Sequence, residues 1–89
     1  MDREKYHYRI ARNIPLREVE EYLLLAVIAA KCLHGDAKIR LDGVYRVYRN
    51  ERCVLIGGDT LVGRRIALFF AGLLIHQFGE KSFSVERVA

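Results

Sequence analysis

The residues able to do chemistry in this 89-residue chain are few, and their spacing suits none of the common reactions. Cys32 and His34 stand two apart, which on a helix turns them to opposing sides and spoils them as a ligand pair. No Cys-x-x-Cys or His-x-x-x-His occurs, so no metal or cofactor is expected, and Cys32 and Cys53 read as structural thiols. Ser82, Ser84 and Thr60 have no histidine close in sequence to serve as base. Glu18, Glu20 and Glu21 gather as the charged start of a helix, not as an acid/base pair. His76 near a helix end suits the dipole and needs no catalytic role. No catalytic residue is assigned, and the expectation is a protein that is not an enzyme.

One segment imitates an anion site. Gly57-Gly58-Asp59-Thr60 precedes a helical run with Arg64 and Arg65 one turn in, a place where free amides attract negative charge. The Walker pattern of Gly-x-x-x-x-Gly-Lys-Ser/Thr is missing, however. Helix capping with an internal salt bridge accounts for these residues more simply. The loop Asn13-Ile14-Pro15-Leu16 likewise lacks the glycine that would let a ligand reach its backbone.

The elements that must position any site follow from hydrophobic period. Lys5 to Ala11 alternates Tyr6, Tyr8 and Ile10 with polar or small residues, which predicts a strand. A helix over residues 15–34 follows, with Asn13 as a cap, Pro15 in its first turn and Leu16, Val19, Leu23, Val27 and Ala30 at helical spacing. Lys31, His34 and Gly35 mark its end. Alternation resumes at Lys38-Ile39-Arg40-Leu41 and continues past Gly43 to Tyr45 and Val47. Either one strand bends at Gly43, or Asp42-Gly43 turns a hairpin; the bent strand is preferred because it puts all four apolar residues on one face. Cys53 to Ile56 is a short buried strand ending at Gly57-Gly58, Asp59 or Thr60 caps a second helix to Gly79, and Ser82 to Val88 is the last strand.

The order is β-α-β-β-α-β, and the chain carries a trace of its own repetition. Sliding it by 44 positions superposes Gly35-Asp36 on Gly79-Glu80, Ile39 on Phe83, Leu41 on Val85, Ile10 on Val54 and Leu24 on Leu68. A doubled β-α-β unit of this size predicts an α+β, ferredoxin-like sandwich: a four-stranded antiparallel sheet with two helices on one face, as a single domain over residues 1–89.

Two features exceed what that fold needs. The runs Leu23–Ala30 and Ile66–Ile75 are apolar nearly all round, whereas a surface helix requires one apolar stripe. With Leu23, Val27 and Ala30 toward the sheet, Leu24, Leu25 and Ile28 are left partly outward. The second helix has the same excess in Leu68, Gly72 and Ile75, or in their counterparts on its opposite side. Leu24, Leu25, Ile28, Leu68 and Ile75 predict a partner surface, most simply a homo-oligomer or else a protein partner. The bland account is that the two helices cover each other and the rest is ordinary surface leucine. The second feature is charge: 15 basic against 11 acidic residues leave +4, and 11 of the 15 are arginine. Alternation puts Lys5, His7, Arg9, Lys38, Arg40, Arg46 and Tyr48 on the sheet face away from the helices, with Asp42 and Glu86 as its acidic members. Arg9, Arg40, Arg46, Tyr48 and Arg49 could carry single-stranded nucleic acid, the arginines on phosphates and Tyr48 on a base. A merely solvated basic face is the alternative, and the aromatic consensus of the common RNA-recognition sheet is missing from Arg52 to Gly58.

Composition bounds the setting. Hydrophobic residues at 52% and charged residues at 29% suit a globular chain, and two cysteines are too few for a disulfide scaffold. The polar start Met-Asp-Arg-Glu-Lys has no signal-peptide character, so a reduced, cytoplasmic protein is expected. Ile66–Ile75 is about half the length that spans a bilayer, so no membrane partner is expected.

Overall fold

The computed structural model describes residues 4–88, the side chain of Asp42 excepted. Strand β1 (Lys5–Ile10) is followed by helix α1 (Leu16–His34), helix α2 (Asp36–Asp42) and the hairpin strands β2 (Tyr45–Tyr48) and β3 (Cys53–Gly57). Helix α3 (Leu61–Phe78), a one-turn 3-10 segment (Glu80–Ser82) and strand β4 (Phe83–Val88) complete the chain. The result is an α+β fold with one sheet in the order β2-β3-β1-β4, every neighbouring pair antiparallel.

Alternation along β1 and β3 builds the core. Tyr8, Ile10, Val54 and Ile56 turn to one side of the sheet. There they pack with Val19, Leu23, Ala26, Val27 and Ala30 of α1 and Val62, Ile66, Ala67, Phe70 and Leu74 of α3. Ala26, Ala30 and Ala67 are all buried, and these small residues let α1 and α3 lie side by side. Tyr8 ties the two layers: its hydroxyl donates to the Ala67 carbonyl at 2.9 Å, and its ring meets Phe70 edge-on at 5.0 Å.

The loop between β1 and α1 is held from a distance. Arg52, at φ 52° in the β2–β3 turn, donates from its guanidinium to the carbonyls of Ala11 (2.8 Å) and Ile14. Its own carbonyl accepts from the Ile10 amide at 3.0 Å. Pro15 occupies the N-cap of α1 with no side-chain cap bond, so Asn13 does not cap the helix as its residue type suggested. Thr60 does cap α3, accepting from the Gly63 amide at 3.0 Å.

Of the strand expected over residues 38–47 only the end is there, as β2 from Tyr45, and three helices stand where two were expected. Residues 36–42 form α2; Gly43 follows it, its amide donating to the Ile39 carbonyl at 2.9 Å, so Gly43 neither bends a strand nor turns a hairpin. The reason lies in β3. It offers partners only from Cys53 to Gly57, and these are consumed by Tyr48 back to Val44. Residues before Val44 have no ladder to join, and a helix satisfies their backbone internally. The repeat explains the same point: Gly35 (φ 85°) and Gly79 (φ 90°) close α1 and α3 alike, and each is followed by a helical segment. That segment ends after one turn before β4 but runs seven residues before β2.

Candidate interaction surfaces

The outer side of the helix layer carries a band of exposed apolar side chains, with Glu21 and Arg65 exposed among them. Leu24, Leu25 and Ile28 of α1 and Leu68 and Ile75 of α3 are between 42 and 62% exposed. On α3, Leu61, Leu68, Gly72 and Ile75 follow one another at helical spacing along the exposed side, opposite buried Val62, Ile66, Phe70 and Leu74. Leu33 and Leu61, at the helix ends, and Leu41 on α2 are exposed as well. Periodicity did not single out Leu33 and Leu61, which lie at the ends of helical runs, and it placed Leu41 on a strand face instead of on α2. By length and mean hydropathy α3 has the makings of a bilayer span, which the shorter Ile66–Ile75 run had not suggested; six of its residues are nevertheless buried.

The opposite face of the sheet is basic at one end. Cross-strand register sets Tyr48, Cys53, Arg9 and Ser84 in one row and Arg46, Leu55, His7 and Glu86 in the next, with Lys5 beside Gly57 in a third. Arg46, Tyr48, Leu55 and Lys5 line a depression of about 370 Å³, with Glu4 and Asp59 also on its walls. Cys53 is buried within this face; burial pushes its thiol up, Glu51 adds to the effect, and Arg9 partly offsets it. A thiol so held stays protonated and poorly nucleophilic at neutral pH.

The structure thus gathers three of the five residues read as nucleic-acid contacts and separates two. Arg9, Arg46 and Tyr48 share the open face. Arg40 belongs to α2, as do Lys38 and Asp42, so none of these lies on the sheet. Arg49 leaves the strand and bridges to α1, its Nε 2.7 Å from Glu20 Oε1. Arg52 is occupied with backbone carbonyls. At the glycine-rich turn, Arg64 donates to the Gly58 carbonyl at 3.1 Å, so this cation closes the turn instead of facing a ligand. Among the described residues no group of three or more His, Cys, Asp or Glu could hold a metal ion. No protein-family model, curated protein or solved structure shows a significant match to the chain.

Proposed function

We propose that the chain is a small, non-catalytic interaction module of the ferredoxin-like class that associates with a second copy through the outer face of α1 and α3. The strand order β2-β3-β1-β4 is what two interleaved β-α-β units produce, with α2 as an insertion in the first, and this supports the class assignment. The observation that carries the interface is the exposure of Leu24, Leu25, Ile28, Leu68 and Ile75 on one layer. Half-exposed side chains of this kind, with Leu61 beside them, present on the order of 500 Å² of apolar surface, the apolar share of one side of a standard interface. Covering each is worth on the order of 1 kcal/mol, a large sum beside the stability of a small domain.

The test is light-scattering mass across a concentration series, for wild type and for Leu25→Glu combined with Leu68→Glu. A wild-type dimer or larger species, and a smaller, soluble, folded variant, are expected. An unchanged mass, or a variant that only aggregates, would remove the interface. A wild-type monomer that co-sediments with lipid vesicles would transfer the face to a membrane.

A second reading rests on a different observation, the clustering of Lys5, Arg9, Arg46 and Tyr48 on the open sheet face. Such a face suits a single-stranded nucleic acid, with phosphates on the cations and a base on Tyr48. Because the two faces belong to opposite layers, association through helices would leave it accessible.

A further inference from the structure

Among the described residues both outer strands of the sheet have an unpaired edge, and antiparallel alternation assigns the backbone groups that point away from the sheet. In β1 the Gly58 amide donates to Glu4 and the Ile10 amide to Arg52, which directs the even-numbered residues toward β3. The Ala11 amide donates to the Ser82 carbonyl, which directs the odd-numbered ones toward β4. Carried along the register from Lys5↔Val88 to Ile10↔Phe83, Ser84, Glu86 and Val88 bond to β1. Phe83, Val85 and Arg87 therefore aim their N–H and C=O groups outward. The same reasoning from the Gly57–Val44 bond leaves only Tyr45 and Val47 outward on β2. Strand β4 is the longer edge, six residues in unbroken register without a proline. Among the described residues no strand pairs with its outer side.

Val85 sits in the middle of this edge. It lies opposite Tyr8 on the core side of the sheet, yet it is 50% exposed where Tyr8 is 2%. An exposed valine amid unpaired amides is a surface made for another strand.

We propose that β4 pairs antiparallel with β4 of a second copy about a two-fold axis through Val85, joining two four-stranded sheets into one of eight strands. The sequence of the strand selects this register. Centred on Val85, all three outward residues of each strand find partners: Val85 opposes its own copy, and Phe83 opposes Arg87 of the second copy. On the other face Ser84 opposes Glu86. Centred on Glu86, two carboxylates would face each other, and centred on Ser84, Arg87 would lose its partner. Arg87 is already paired with Glu4 inside its own chain, so neither charge is stranded by the new ladder. This edge is separate from the outer helix face, and the two interfaces stand or fall independently.

Cross-linking in a Cys32→Ser background tests the register, since the remaining Cys53 is buried. Hydrogen-bonded partners in an antiparallel ladder lie about 5.5 Å apart at Cα, within disulfide range. Val85→Cys is expected to form a covalent dimer under mild oxidation, and Ser84→Cys is not. No cross-link from Val85→Cys, or equal cross-linking from both, would overturn the proposal. In the Leu25→Glu, Leu68→Glu background Val85→Pro removes only an outward N–H and is expected to halve the particle mass with the circular dichroism unchanged. If that variant unfolds, the cross-link alone decides. Adding Leu25→Glu and Leu68→Glu to the Val85→Cys chain is expected to leave the cross-link in place, so a failure of the helix interface and a failure of the strand interface give different results.

Discussion

Tyr8 is the residue whose chemistry most shapes this fold. Burial, aided by Tyr6, pushes its hydroxyl well above the ordinary phenol range, and the proton it keeps is the one donated to Ala67. A folded-state pKa raised above the unfolded value of about 10 means full stability below pH 10 and a progressive loss above it. Between about pH 10 and 12 the loss from this one group approaches 1.4 kcal/mol per pH unit. Tyr8→Phe is expected to cost about 1 kcal/mol at pH 7 and to flatten that alkaline decline. Urea midpoints for both proteins at pH 7 and pH 10.5 check this, and parallel shifts would sink it. In the sequence Tyr8 was legible only as an apolar member of an alternating strand. Its partner lies 59 positions away, and no local pattern encodes such a bond.

At the scale of elements, α3 holds two glycines with opposite roles. A Cβ on Gly63 would come within 1.9 Å of the Gly57 carbonyl oxygen, because the first turn of α3 presses on the end of β3. A Cβ on Gly72 would meet nothing within 4 Å. Gly63→Ala is expected to destabilise by at least ~1–3 kcal/mol, as overpacking does. Gly72→Ala is expected to stabilise by roughly 0.5–1 kcal/mol through helix propensity, a rise of several degrees in melting temperature. Thermal melts should be run in the Leu25→Glu, Leu68→Glu background, where no second helix layer can complicate the reading; effects of equal sign would refute the contrast. The long helices were legible because their period is sustained and each ends in a glycine with positive φ. Helix α2 was not: Lys38-Ile39-Arg40-Leu41 carries only two apolar residues, and two points fit a period of two as well as one of 3.6. The repeat points to a strand as well, because Ile39 aligns with Phe83, which does begin one. What separates the halves is the number of ladder partners that β3 offers, a non-local fact.

For the whole molecule, the two layers divide the surface into an apolar side and a basic one, and the basic one is smaller than alternation alone implied. Arg40 and Arg49 left it because their segments are a helix and a turn anchored to Glu20. What remains, Lys5, Arg9 and Arg46, sets the size of any phosphate contact. Three cations on a single strand predict a slope of about −2 for log affinity against log salt, since each neutralised phosphate contributes about −0.7. A tenfold rise in salt would then weaken binding about 100-fold. Arg9→Ala with Arg46→Ala should reduce the slope by about 1.4, whereas Arg40→Ala should leave it unchanged. Fluorescence anisotropy of a labelled single-stranded RNA between 20 and 200 mM salt measures both. If the Arg40 variant shifts as much as the sheet-face pair, the binding surface is a diffuse positive field and not this face. If wild type does not bind at the lowest salt, three cations on an open sheet are only solvated charge.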